Sequence, residues 1–268
     1  HLDPNTDEGC PMYYQDEKGN LRWQPTGSVG LHGRIGAIPA KHLSLCEWWD
    51  GDDYWMSVSG QMRETAVFGS NLVLKRTIRA KLGDTKIWID DVVENQGHDP
   101  AEHMYLYHCN FGFPILSDGA EYLINSRSTE ARDEDAAPHI DTLAQFPAPT
   151  PNQVEWVYYH DLATDDGENT AVAIVNRDFN GGQGFGGYLR FSKQQLPNLI
   201  QWKMPAEGTY VTGLEPANCL VEGRTKDREE GRLVTLQPGE SAEYSLEVGV
   251  LANNDEIDAL GAEIAKMS

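Results

Sequence analysis

Apolar and polar residues alternate with a period of two along most of the chain. In "LVLKRTIRAKL", Leu72, Leu74, Ile78 and Ala80 fall on one face, and Arg76 interrupts it. The following "LGDT" predicts a turn, and "KIWIDDVVEN" predicts a returning strand. This part of the sequence therefore predicts an antiparallel β-hairpin.

The same alternation recurs in short segments, and turn signals such as "NQGHDP", "TDDGEN", "NGGQGFGG" and "QPGES" lie between them. A regular exchange of strand and helix patterns is missing, which disfavours a parallel α/β fold. We expect an all-β, antiparallel sandwich. The strand candidates are "YWMSVSGQM", "EHMYLYHC", "AEYLIN", "VEWVYYH", "AVAIVN", "GGYLRFSK", "LIQWKM", "TYVTGLE", "RLVTL" and "AEYSLEVGVL".

Two segments depart from the strand pattern. At the C-terminus, a short helix is predicted by one apolar stripe, with Asn254 or Asp255 as its cap. The stripe consists of Ile257, Leu260, Ile264 and Met267. Residues 125–153 are polar and rich in proline, and we expect them to form a long loop.

Composition limits the kinds of partner. The chain has 268 residues, with 42 Asp and Glu against 21 Lys and Arg, for a formal charge of -21. Such a charge argues against binding to nucleic acid or to anionic membranes. Neither a run of 18 apolar residues nor a signal peptide is visible. Four scattered cysteines, Cys10, Cys46, Cys109 and Cys219, suggest reduced thiols and a cytoplasmic protein, with neither a disulfide framework nor a thiolate zinc site.

The first candidate for chemistry is His108, in "MYLYHCNFGFPIL". Alternation places Met104, Leu106 and His108 on one face of an extended segment and His103 on the other. The two histidines should therefore not share a metal ion, and we expect no metal site. His108 is a candidate acid or base beside a Gly-Pro turn. A buried histidine that is merely hydrogen-bonded is an equally good interpretation.

The second candidate is Glu215, in "GTYVTGLEPANC", where Pro216 is expected to end the strand. A carboxyl group that faces inward has a raised pKa, which suits a general base. A glutamate bonded to the backbone or to Arg224 is the alternative. The loop "GLHGRIGAIPA" adds His32 and Arg34 as donors, although a loop arginine often forms only a surface ion pair.

Together, "LHGRIGAIPA", "YHCNFGFP", "GLEPANC" and the closing "LQPGESAEYSLEVGV" resemble the aldose 1-epimerase (galactose mutarotase-like) superfamily, and most closely an uncharacterised branch of it. The resemblance covers most of residues 30–250. It implies a large antiparallel β-supersandwich with a short C-terminal helix. We expect residues 1–268 to form one sugar-binding domain of this type.

The resemblance also implies an activity. The protein is expected to be an isomerase that interconverts the anomers of an aldose or aldose derivative without a cofactor. His108 would be the general acid, Glu215 the general base and His32 a substrate contact. The arginine and aspartate that bind substrate in the family have no clear equivalent here. Either a preceding segment is missing, or the sugar is held differently, for example by Arg34.

Other substrate contacts are hypotheses based on residue type. Asn110 lies close to His108 in sequence, Trp202 offers an aromatic face to a sugar ring, and Lys203 is a candidate contact for an acidic or phosphorylated sugar. A buried tryptophan and a solvated lysine are the more ordinary interpretations. Trp48 and Trp49 are further stacking candidates. The partner is expected to be a small carbohydrate.

Two other functions stay open at this point. The chain fits a non-catalytic carbohydrate-binding or sugar-sensing protein on the same fold, because a fold does not determine a function. A domain of a polysaccharide-cleaving enzyme is a third possibility, which the lack of a second large domain disfavours.

Overall fold

The computed structural model describes residues 12–15, 21–24, 32–66, 69–117 and 119–268. In these ranges the strands are β1 (Met12–Gln15), β2 (Leu21–Gln24), β3 (Lys41–Asp50), β4 (Asp53–Thr65), β5 (Asn71–Lys81), β6 (Lys86–Asn95), β7 (Ala101–His103), β8 (Cys109–Phe111), β9 (Ala120–Leu123), β10 (Ser126–Ala131), β11 (Trp156–Leu162), β12 (Asn169–Asn176), β13 (Phe185–Ser192), β14 (Asn198–Ala206), β15 (Thr209–Ala217), β16 (Val234–Leu236) and β17 (Ser241–Leu251). The helices are α1 (Phe179–Gly182), α2 (Arg224–Glu229) and α3 (Asn254–Ile264), and 3-10 turns span Ile35–Ala37 and Ala137–Thr142.

The larger sheet has eight antiparallel strands in the order β3-β4-β5-β6-β17-β13-β12-β9. Strands β5 and β6 form the predicted hairpin, with Leu74 opposite Val93. Arg76, which interrupts the apolar face, lies opposite the buried Asp91 and forms an ion pair with it at 2.7 Å. The polar interruption is thus neutralised by its cross-strand partner.

The smaller sheet has five antiparallel strands in the order β10-β11-β14-β15-β8. One face contributes Leu199 and Leu214 to a core shared with Leu189 and Leu246 of the larger sheet. Its other face carries a separate apolar cluster that includes Val157 and Ile200. The expected antiparallel sandwich is therefore confirmed, and the smaller sheet has a second face that lies outside the main core.

Helix α3 forms where the apolar stripe predicted it. Ile257, Leu260 and Ile264 are buried, and they pack on a cluster that includes Val175 and Leu251. The cap is Asn253, whose side chain accepts a hydrogen bond from the Glu256 amide at 3.0 Å. The predicted caps, Asn254 and Asp255, are wrong by one or two positions because the extended backbone persists through Asn253.

Three sequence predictions need correction. The candidate strand "EHMYLYHC" is two short strands, β7 and β8, joined by an extended segment. Strand β15 runs on to Ala217, because Pro216 contributes its carbonyl and accepts a hydrogen bond from the Tyr107 amide at 3.0 Å. The polar segment 125–153 contains strand β10, which lies at the edge of the smaller sheet, where solvent contact suits polar residues.

No helix in the described ranges combines the length and the apolar composition needed to cross a membrane. Cys46, Cys109 and Cys219 are free thiols. Cys10 lies outside the described residues.

Candidate active site

His108 and Glu215 meet on the outer face of the smaller sheet. Strand β8 pairs with β15 so that Cys109 is opposite Leu214, which makes His108 and Glu215 neighbours on the adjacent strands. His108 Nε2 lies 3.1 Å from Glu215 Oε1. The carboxyl side chain is 4% exposed and the imidazole 28%. Two remote segments therefore deliver an acid–base pair to one point.

Gly213 leaves free the space that the Glu215 side chain occupies. The two residues lie on the same face of β15, since side chains alternate along a strand. A β-carbon at position 213 would lie only 2.3 Å from Glu215 Oε1. The carboxyl group therefore folds back over a glycine, and a larger residue there would displace it.

Burial favours the neutral forms of both groups. It raises the pKa of Glu215 to about 8, and the nearby Glu155 carboxylate adds to this effect. Burial also lowers the pKa of His108, although a hydrogen bond with Asn110 opposes that shift. Among the described residues, Glu215 Oε1 makes no hydrogen bond, so its contact with His108 is close in distance but not aligned as a hydrogen bond. Both shifts favour the uncharged carboxyl group and the uncharged imidazole.

The pair opens into a cavity of about 550 Å³. Its lining residues are His32, Gly33, Arg34, Ile35, Glu64, Leu72, Glu102, His103, Met104, Tyr105, Leu106, His108, Asn110, Arg132, Glu155, Val157, Ile200, Trp202, Glu215, Cys219, Val221 and Arg224. Such a volume holds a small ligand. It gives the acid–base pair access to a bound molecule.

Four of the seven residues proposed from the sequence as substrate contacts line this cavity. The ring centroids of His32 and His108 are 5.2 Å apart. Trp202 approaches the imidazole of His108 edge-on, at 5.5 Å between centroids. Asn110 hydrogen-bonds to His108, and Arg34 lies 3.3 Å from Glu64. The structure thus brings these side chains together around one space.

Lys203 does not line the cavity, and its proposed role is corrected. Because it follows Trp202 in β14, its side chain lies on the opposite face, where it is 1% exposed. Its ammonium group donates to the carbonyl of Gln145 at 2.7 Å and to that of Leu143 at 3.2 Å. Lys203 is neither solvated nor available to a ligand in the cavity. Trp48 and Trp49 also lie outside the cavity lining.

Glu155 and Arg132 were missed as site residues. Glu155 accepts a hydrogen bond from Trp202 Nε1 at 2.7 Å and another from Arg132 at 2.9 Å. The alternation in "VEWVYYH" places Glu155 on the same face as Val157, but it does not say that this face lines a cavity. Arg132 lies in the segment that was predicted to be a loop, and the sequence pattern therefore gave no reason to place it near the site.

The described residues contain no group of three or more His, Cys, Asp or Glu side chains arranged to hold a metal ion. His103 contacts the Tyr244 hydroxyl at 2.8 Å and not His108. The chemistry that this arrangement can perform is proton transfer between an imidazole and a carboxyl group.

A family model with the description "Domain of unknown function (DUF4432)" matches residues 9–250. No curated protein matches the chain. Among solved structures, a "putative aldose 1-epimerase" from Klebsiella pneumoniae is 26% identical, with a TM-score of 0.83, and the match covers 96% of this chain and 64% of that one. This chain therefore spans 64% of the length of the Klebsiella protein.

Two more distant structures share the fold. A "putative aldose 1-epimerase" from Escherichia coli K12 is 18% identical, with a TM-score of 0.53, over 91% of this chain and 79% of that one. A "galactose mutarotase related enzyme" from Lactobacillus acidophilus is 12% identical, with a TM-score of 0.58, over 88% of this chain and 77% of that one. The fold is galactose mutarotase-like, as the sequence resemblance implied.

Proposed function

We propose that this chain, which belongs to the DUF4432 family, binds an aldose in the cavity and interconverts its anomers. The observation that carries the proposal is the 3.1 Å contact between His108 Nε2 and Glu215 Oε1 at the cavity wall. The similarity to proteins named for aldose epimerase activity supports the choice of substrate.

The geometry of the pair suits the chemistry of an anomeric carbon. The hydroxyl that must lose a proton and the ring oxygen that must gain one are bonded to the same carbon, so they lie close together. Because His108 and Glu215 are in contact, the sugar lies over the pair, with one oxygen facing each group. Acid–base catalysis by positioned side chains typically contributes about 10² to 10⁴-fold.

A proton on the uncharged Glu215 carboxyl group, which burial favours, supplies the acid. Its transfer to His108 within the pair gives a carboxylate and an imidazolium without exchange with solvent. Glu215 then removes the proton from the anomeric hydroxyl while His108 protonates the ring oxygen. The bond from the anomeric carbon to the ring oxygen breaks, and a carbonyl forms. The pair returns to its resting protonation, and ring closure on the other face of the aldehyde reverses each step.

The remaining lining residues hold the sugar. His32 and Asn110 flank His108 and can exchange hydrogen bonds with hydroxyl groups. Trp202 presents its ring to the cavity in a fixed orientation, because Glu155 accepts the hydrogen bond from its indole. Ordered polar and aromatic groups of this kind orient a ligand and reduce the entropy lost in the reaction.

The test is the exchange rate between anomers, measured by NMR or polarimetry on freshly dissolved single anomers from a panel of aldoses. We expect faster exchange with the protein than in buffer, and a loss of at least about 10²-fold in His108→Ala and in Glu215→Gln. His98→Ala and Glu207→Gln change exposed residues outside the cavity and serve as matched controls.

Two results would count against catalysis. Exchange no faster than in buffer for every aldose would refute it, and so would unchanged rates in both site variants. Binding without any exchange would instead support the non-catalytic carbohydrate-binding alternative.

A further inference from the structure

The cavity has an apolar wall that the acid–base chemistry does not use. Met104, Leu106 and Val221 are half-buried lining residues, and the buried Val157 and Ile200 lie with them in one cluster. All are hydrocarbon side chains except for the thioether of Met104, and none offers a strong hydrogen-bond partner to a hydroxyl group. One side of the ligand must therefore face hydrocarbon.

This wall lies directly beside the reacting groups. Ile200 of β14 is the cross-strand partner of Glu215 in β15. Leu106 precedes His108 by two residues, lines the same cavity and forms a bridge with Ala217. The wall is therefore close enough to the acid–base pair that the other carbons of a pyranose placed over the pair would contact it.

The arginines around the cavity each lie close to a glutamate. Arg132 donates to Glu155 at 2.9 Å, Arg34 lies 3.3 Å from Glu64, and Arg224 lies 3.6 Å from Glu102. Each arginine of the described lining thus has a carboxylate nearby, although Arg224 Nε makes no hydrogen bond. The three arginines face four glutamates, so the described lining has no excess of positive charge to attract a phosphate or a carboxylate, and an uncharged ligand suits the cavity better.

We infer, on the basis of the proposed function, that the aldose bound here is a deoxy sugar whose C–H or methyl group lies against the apolar wall formed by Met104, Leu106, Val157, Ile200 and Val221. A hydroxyl group in that place would lose its bonds to water without a replacement, which costs affinity. A hydrogen or methyl group in the same place gains from leaving water. Discrimination of about 10-fold or more is expected from one such group.

The experiment compares each deoxy sugar with its parent: D-fucose with D-galactose, L-rhamnose with L-mannose, and 2-deoxy-D-glucose with D-glucose. Glucose 6-phosphate is included as an anionic sugar. Anomer exchange gives kcat/KM, and quenching of tryptophan fluorescence in Glu215→Gln gives Kd. We expect at least one deoxy sugar to exceed its parent about 10-fold in both quantities.

Val221→Thr places a hydroxyl on the wall with almost no change in shape, and it should reduce that preference several-fold. Val154→Thr is the matched control, because Val154 is exposed and lies outside the cavity lining. The comparison of sugars on the unchanged protein is informative even if Val221→Thr does not fold.

The outcomes separate the two proposals. If parent sugars exchange and bind as well as every deoxy sugar, or if the phosphorylated sugar is preferred, the inference of a deoxy sugar is wrong while anomer exchange stands. If no sugar exchanges but a deoxy sugar binds about 10-fold more tightly than its parent, the catalytic proposal fails and the wall's preference is supported. Absence of both exchange and binding refutes both.

Discussion

Replacing Glu215 with glutamine should remove a pH-dependent loss of stability. The carboxyl group has an ordinary pKa of 4.5, and burial raises it to about 8 in the folded protein. Between these values the folded state binds a proton that the unfolded state has released, so folding stability decreases as the pH rises. The separation corresponds to about 5 kcal/mol at most. Glutamine has nearly the same shape and does not titrate.

The measurement is urea unfolding of the wild-type chain and Glu215→Gln at pH 5 and at pH 9. We expect the wild-type chain to lose stability relative to the variant as the pH rises, by up to about 5 kcal/mol. His108 titrates in both proteins, so its own effect largely cancels in the difference. Glu207→Gln, a change at an exposed position, is the matched control.

Two results would refute the reasoning. If the wild-type chain gains stability relative to Glu215→Gln as the pH rises, the carboxylate is stabilised in the folded protein. In that case the attraction of a protonated His108 would outweigh the cost of burial. A difference that is the same at both pH values would show that Glu215 is not desolvated as the structure indicates.

Three further changes follow from the same geometry. Gly213→Ala should displace the Glu215 carboxyl group and reduce anomer exchange at least about tenfold. Gly112→Ala is the control, because an added β-carbon there would meet no atom within 4 Å. Equal NMR exchange rates for the two variants would contradict the role of Gly213. Asn218→Ala removes the oxygen that accepts the hydrogen bond of the Tyr105 amide, and it should lower the free energy of unfolding by about 2 to 4 kcal/mol in urea titrations. An unchanged unfolding midpoint would contradict this expectation. Burial lowers the pKa of Lys203 from 10.5 to about 8. Between pH 7 and pH 10.5 the free energy of unfolding of the wild-type chain should therefore rise by up to about 3 kcal/mol relative to that of Lys203→Met. A constant difference between the two free energies would show that the ammonium group is not desolvated.

Side-chain alternation was predicted correctly even where the backbone was not. Residues 104–108 do not form the continuous strand that the sequence suggested. Met104, Leu106 and His108 nevertheless line the cavity, while the hydroxyls of Tyr105 and Tyr107 reach the buried Asp91. Any extended backbone sends successive side chains to opposite sides, whether or not it belongs to a regular ladder.

Side-chain alternation did not predict which face of a strand lines the cavity. Trp202 and Lys203 were both proposed as ligand contacts, although consecutive residues of a strand cannot share a face. Trp202 lines the cavity, and Lys203 is buried on the other face beneath the carbonyls of Leu143 and Gln145. The partners that decide between the two faces come from a segment about sixty residues away in the chain.

The sequence by itself determined the period-two pattern, the closing helix and the kinds of side chain able to move a proton. These are local properties, because they depend on residues within one strand or one turn of helix. The tertiary structure alone decided that Glu215 and His108 touch, that Glu155 holds Trp202, and that an apolar wall adjoins the pair. Each of these depends on strand order and register, which are determined by packing between residues far apart in the chain.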